Sequence, residues 1–230
     1  MGYGFSAQNN TGKIVIDQNY FNPHLFQEGS FTSGFKRIAF AANRADIPLV
    51  AVSTGIGGRP VFYMNTYMNT AETAYKGVDL LASGTGTTNY AFYDAVGGIT
   101  SNTNWGMQVF DGSSNVVFDS RRAYLKVVDV VTLNGTDYGH TYTHASVNPA
   151  WYVINSLTGL QFTFQVFSPG PPPLGLSLAR GRFINQASST SVTVSMGPTN
   201  NAGVGPDLWL GLAPTIPYTS KLLVCEKIPI

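Results

Sequence analysis

Residues 3–17, YGFSAQNNTGKIVID, recur as residues 105–119, WGMQVFDGSSNVVFD, at a constant shift of 102 without a gap. The paired positions include Tyr3/Trp105, Gly4/Gly106, Phe5/Met107, Ala7/Val109, Asn9/Asp111, Val15/Val117 and Asp17/Asp119. Each copy reads as a β-hairpin. Phe5 and Ala7 alternate with Ser6 and Gln8, the period-2 pattern of a half-buried strand. The tetrapeptides 9–12 and 111–114 supply Asn, Asp and Gly, which tolerate positive φ in turns. Ile14–Val15–Ile16 and Val116–Val117–Phe118 then return as strands. Gly4 and Gly106 mark places where another group packs close to the backbone. A period near 100 is too long for a solenoid repeat and has the size of a domain.

That period predicts a duplication, with a boundary at the soft stretch 97–102. The expected organisation is all-β with little helix, as two β-sandwich-like domains, residues 1–100 and 101–230. A second echo agrees: Leu49–Val52 leads to Thr54–Gly55, and Trp151–Ile154 leads to Thr158–Gly159. Further strands are expected at 35–41, 48–53, 61–64 and 89–94. In the second half they are expected at 123–133, 138–146, 151–154, 161–167, 174–180, 191–195, 208–212 and 221–225. Turn residues separate them every 8–12 positions, the spacing of a sandwich or barrel. One helix is expected at 70–76, capped by Asn69 or Thr70 and ended by Gly77. The extra length of the second half falls around the proline run 169–173, expected as a polyproline-like loop.

Composition narrows the function. Charged residues are 11% of the 230, and the formal net charge is +1. A phosphate-binding surface needs a clustered excess of Lys and Arg, so nucleic acid is not an expected partner. No run approaches the ~20 apolar residues of a membrane-spanning helix. The first ten residues lack the basic and apolar regions of a secretory signal. The single cysteine, Cys225, has no internal disulfide partner and sits in an alternating strand, KLLVCEKI, as a packing residue.

Catalytic patterns are sparse, and no catalytic residue, cofactor or metal ligand is assigned. His140 and His144 share a strand face at i, i+4, without the cysteine or close carboxylate of a metal-ligand set. His24, in FNPHLF, reads as loop or surface. Gly55–Gly58 and Gly84–Gly86 open no helix and so cradle no phosphate. The tetrapeptide Tyr-Met-Asn-Thr is written twice over 63–70, which sets Tyr63 and Tyr67 on one strand face as an aromatic platform. With Trp105, Trp151 and Trp209 they form the candidate interaction residues, because a few buried aromatics commonly carry most of an interface's energy.

The second hairpin, Trp105–Asp111 followed by Val116–Ser120, resembles a family of tailed-bacteriophage proteins that open with an aromatic-Gly-apolar-Gln-Val-Phe-Asn/Asp hairpin closing in Asp-Ser. The first copy departs from it at Ser6, Ala7, Gln8 and Gln18. The resemblance spans about 16 residues per copy. It implies a non-enzymatic structural virion component at the tail tip or fibre region, assembled in the bacterial cytoplasm. Its implied partners are other tail proteins and its own copies, as a trimer or ring, with contact to a host-surface glycan or protein. The rival expectations are a carbohydrate-binding β-sandwich acting as a receptor-binding protein, and a capsid decoration protein.

Overall fold

A computed structural model describes residues 6–8, 14–17, 23–32, 34–58, 61–83, 86–94, 106–134, 139–154, 161–166, 175–198 and 220–228. Among these the regular structure is all β, with no helix. In the first half the strands are β1 (Ser6–Gln8), β2 (Ile14–Asp17), β3 (His24–Phe31), β4 (Phe35–Arg44), β5 (Leu49–Ser53), β6 (Val61–Met68), β7 (Tyr75–Ala82) and β8 (Thr88–Asp94). In the second they are β9 (Gln108–Phe110), β10 (Val116–Asp119), β11 (Tyr124–Leu133), β12 (His140–Thr143), β13 (Trp151–Ile154), β14 (Gln161–Val166), β15 (Gly175–Ser188), β16 (Ser191–Pro198) and β17 (Ser220–Ile228).

The two repeated segments form the expected hairpins, β1–β2 and β9–β10. The sheets do not divide at residue 100, however. A closed barrel runs β11-β17-β13-β5-β8-β3, so three of its strands precede residue 100 and three follow it. A seven-stranded sheet runs β12-β16-β15-β6-β7-β4, with β14 also on β15, and it too joins the halves. The physical reason lies in β5 and β13. Both are short apolar runs, buried at every position but Leu49. A strand buried on both faces needs a neighbour on each side. Each half supplies one such neighbour, β8 or β17, and the two strands pair with each other for the second.

Alternation assigns the faces. Val50 and Val52, Phe92, Tyr152 and Ile154, and Leu222 and Val224 point from the barrel into a shared core with Ile38, Val61, Val78, Leu80, Ile184, Val192 and Val194 of the large sheet. Their neighbours Ala51, Ala91, Tyr93, Trp151, Val153 and Cys225 form a second cluster on the other face. Fully burying one such large side chain is worth roughly 1.5–3 kcal/mol. An aromatic group ties β3 to the large sheet: Phe26 meets Phe40 edge-on at 5.7 Å, and Phe40 meets Phe92 at 5.3 Å.

Three local expectations are corrected. His24 is not a surface residue; it opens β3 and is buried. Residues 70–76 form no helix. Asn69 does cap, but it caps a tight loop: its Oδ1 accepts from the Thr73 N–H at 2.9 Å, and its N–H donates to Ala74 O at 2.9 Å. Tyr75 and Lys76 already belong to β7. Strand β12 covers 140–143 of the expected 138–146, of which residue 138 lies outside the described residues. The expected strand 208–212 and the proline run lie outside the described residues.

Gln186 locks the halves internally. It is fully buried on β15, with every polar group engaged. Its amide nitrogen donates to Val147 O and Ser188 O, and its Oε1 accepts from the Ala150 N–H at 3.1 Å. Its backbone N–H donates to Thr54 Oγ1 and its carbonyl accepts from Gly57 N–H. One glutamine thus ties 54–57 of the first half and 147–150 of the second to the same strand.

Candidate interaction surface

The predicted aromatic residues separate on folding. Trp151 is buried in β13, 7% exposed, with the Lys227 ammonium 5.9 Å from its ring. It is a core residue, not an exposed anchor. Trp105, Trp209 and the side chain of Tyr63 lie outside the described residues. Tyr67 remains. It is half-buried near the end of β6, on the face of the large sheet that points away from the core.

The ladder builds a patch around it. β7 lies between β4 and β6, and register sets Ala39–Gly77–Tyr67 and Arg37–Asp79–Asn65 in adjacent rows. Gly77 is there because the ring lies across it. A Cβ at Gly77 would come within 2.6 Å of Tyr67 Cζ and would also meet the Ile38 carbonyl and the Tyr67 hydroxyl. An aromatic ring laid over a strand glycine replaces the missing side-chain packing. Gly29 on β3 and its cross-strand partner Tyr90 repeat the device, with Tyr90 Cζ 2.7 Å from the Cβ position.

Arg37 covers the patch. Its Nε and Nη2 donate to the two Asp79 oxygens, each at 2.8 Å. Its guanidinium carbon sits 4.8 Å from the Tyr67 ring centroid. A fork-to-fork pair fixes the guanidinium plane, and the ring quadrupole attracts the cation. The Asp79 side chain is 9% exposed, whereas that of Arg37 is 60% exposed. The hydrogen bond and charge of Asp79 raise the Arg37 pKa, and burial raises that of Tyr67. Two residues along β4, Phe35 shares this face and is 43% exposed. Sequence reasoning found Tyr67 through the written repeat. It missed Arg37 and Asp79, which lie 42 residues apart and meet only through the β4–β7 register.

A second charged group marks the place where β3 meets β11. His24 pairs with Tyr124 on one side and Asp94 on the other. Arg44 reaches Asp94 at 3.4 Å and stacks 3.9 Å from the Phe26 ring. Burial and the nearby Arg122 and Arg44 lower the His24 pKa, opposed by Asp94 and Asp119. Asp119, fully buried, accepts from Arg121 Nε at 2.7 Å, Arg121 Nη2 at 2.5 Å and Gln108 Nε2 at 2.9 Å. These bonds, led by Arg121, hold its carboxyl at about 2 despite burial. The Tyr124 hydroxyl accepts from the Asp119 N–H and donates to the Asp119 carbonyl. The Arg121 side chain also fills the space beside Gly106, its Cδ 2.7 Å from the Cβ position there. This group latches the β9–β10 hairpin to β11.

The histidines of 140–144 part company. His140 is exposed on β12, edge-on to Tyr142 at 4.6 Å. His144 is buried; its Nδ1 donates to Ala145 O at 2.7 Å and its Nε2 accepts from Tyr152 at 3.2 Å. Among the described residues no group of three His, Cys, Asp or Glu could hold a metal ion. Cys225 is buried in β17, and burial pushes its thiol up to about 12. No helix among the described residues is long and apolar enough to cross a membrane. Compared with family models, with curated proteins and with solved structures, the chain finds no match in any of the three.

Proposed function

We propose that this chain is a non-enzymatic structural component of a tailed-phage virion, placed at the tail tip or fibre region and working by contact with neighbouring subunits. The observation that carries the contact role is the Phe35–Arg37–Tyr67 face. It combines an exposed phenylalanine with an arginine already fixed by Asp79 and Tyr67. Aromatic residues, Met and Arg are the types enriched in protein interfaces. A side chain held in place before binding loses little freedom on binding. The hairpin motif of 105–120 supplies the virion assignment.

The same geometry favours a protein partner over a sugar at Tyr67. A pyranose needs a free aromatic face, and the Arg37 guanidinium already lies over this ring. Purified virions are therefore expected to contain the protein in fixed stoichiometry by quantitative mass spectrometry. Particles assembled with Arg37→Ala are expected to carry less of it, and a glycan array is expected to stay blank. Virions that lack the protein would sink the assignment. A saturable glycan signal lost in Tyr67→Ala would move the reading to a receptor-binding module.

A further inference from the structure

The repeat seen in the sequence extends into the register of the strands. In the first hairpin Ser6, Ala7 and Gln8 pair with Asp17, Ile16 and Ile14, skipping Val15. In the second, Gln108, Val109 and Phe110 pair with Asp119, Phe118 and Val116, skipping Val117. Every residue number differs by 102, the bulge included. The next strands have little sequence likeness but behave in the same way. β3 pairs His24 with Asp94, Leu25 with Tyr93 and Gln27 with Phe92, bulging at Phe26. β11 pairs Lys126 with Glu226, Val127 with Cys225 and Asp129 with Val224, bulging at Val128. Again 24, 25 and 27 become 126, 127 and 129.

The roles at these positions match as well. Phe26 and Val128, the two bulged residues, both pack on the shared core. Gln27 and Asp129, next in line, each accept a backbone N–H from the segment that follows: Ala41 to Gln27 Oε1 at 2.8 Å, and Ala145 to Asp129 Oδ2 at 2.7 Å. A register slip of one residue would reverse every face, and bulges are specific local features rather than noise. Their coincidence in two separate strand pairs is hard to obtain from unrelated halves.

The contact between the halves has the same logic. β5 and β13 pair antiparallel with Ala51 opposite Val153, which is position 51 shifted by 102. The flanking pairs, Val52–Tyr152 and Val50–Ile154, exchange under the same shift. Such a self-opposed pair is what a twofold axis produces. Within the barrel the order β5-β8-β3 is matched by β13-β17-β11. Only the last strand is offset differently, Ala91 beside Ala51 against Leu223 beside Val153, so the extra 30 residues of the second half fall between β13 and β17.

We propose that the chain is a fused dimer: two descendants of one unit, related by a pseudo-twofold axis through the Ala51–Val153 pair, each the other's partner in closing a single barrel. This goes beyond the virion assignment and does not depend on it. The axis makes a quantitative demand. Thirteen residues, 95–107, join Asp94 of β8 to Gln108 of β9. The axis carries these two positions onto Glu226 and Ser6. Residues 227–230 and 1–5 supply nine, so about four added residues should close the same span.

The test is a full-length circular permutant, opened between 95 and 105 and joined from 230 to 1 by four residues. It is expected to keep the parent's oligomeric state, with a Tm within about 4 °C of the parent. A permutant that folds as the parent with a linker of about twenty residues, but unfolds or swaps into dimers with four, overturns the axis. A second measurement stands apart from connectivity. Ala51→Val and Val153→Ala should each lower Tm in the intact chain, and the double exchange should restore it, because the two sites are equivalent. The exchange of Val52 with Tyr152, a touching but inequivalent pair, should not restore it. A double exchange at 51 and 153 as damaging as the sum of its singles overturns the proposal.

Discussion

Arg121 Nη2 lies 2.5 Å from Asp119 Oδ2 in a carboxylate that is wholly buried. Three further donors, Arg121 Nε, Gln108 Nε2 and the Arg121 backbone N–H, also reach it. Charge-assisted bonds of this kind are the strong ones, and Asp119 is accordingly depressed from 3.8 to about 2. Its stabilising contribution is full above the unfolded value and is lost as pH falls from 3.8 toward about 2. His24 acts in a higher window. Its pKa is lowered from 6.5 in the folded state, so the native protein resists the proton that the unfolded chain accepts. Stability therefore begins to fall as pH drops below 6.5. Urea unfolding from about pH 8 to about pH 2 should show both declines. His24→Gln should flatten the upper one, and Asp119→Asn the lower one while costing roughly 2–3 kcal/mol near neutral pH. An unchanged acid limb in Asp119→Asn would contradict the latch.

Gln186→Leu keeps the approximate volume and removes the side-chain hydrogen bonds to Val147, Ala150 and Ser188 at once. The Ala150 N–H and the Val147 carbonyl would be left buried without their partner. Each orphaned group costs about 1–3 kcal/mol, so a loss of roughly 3 kcal/mol is expected by chemical denaturation. Hydrogen exchange at Ala150 should accelerate ahead of global unfolding. A variant as stable as the parent would show that the tie carries no weight.

Gly77→Ala tests the patch from beneath. The new methyl would press on the Ile38 carbonyl and the Tyr67 ring, and a backbone atom cannot swing aside. Overpacking of this kind costs roughly 1–3 kcal/mol. Pairing the change with Tyr67→Ala should relieve the ring clash but not the carbonyl clash, so the double variant should recover only part of the loss. Full recovery would mean that the backbone contact is slack.

Tyr93→Phe runs the other way. The Tyr93 hydroxyl is buried in the cluster with Cys225 and has no hydrogen-bond partner among the described residues, and burial raises its pKa. A buried hydroxyl without a partner costs about 1–3 kcal/mol, so its removal should stabilise the fold by roughly 1 kcal/mol or more and raise the midpoint of unfolding. A loss of stability on Tyr93→Phe would indicate that the hydroxyl is bonded after all.

The sequence was readable where one rule acted alone. β13 matches its predicted span and β5 comes within one residue, because a short apolar run flanked by turn residues leaves few options. β3 was hidden by its own bulge: Phe26 breaks the alternation between Leu25 and Gln27, and the segment follows a proline. β7 was hidden by TAETAYK, whose helix-forming residues outvote the strand locally; the β4 and β6 ladders on either side decide otherwise. The pairing of strands across residue 100 was hidden for a different reason. A repeat says which residues correspond, but not whether a strand's hydrogen-bond partner comes from its own copy. At the surface, Tyr67 was legible from a local repetition, whereas its partners Arg37 and Asp79 needed the register of distant strands.

The sharing of staves has a consequence for how the molecule can come apart. Severing the chain between β8 and β9 would free neither piece. The amides of β5 would still be satisfied by those of β13, and each fragment would expose a raw seam without the other. Such a nicked protein should migrate as one body in a native gel and as two in denaturing detergent, clasped by its ladders, its shared core and Gln186.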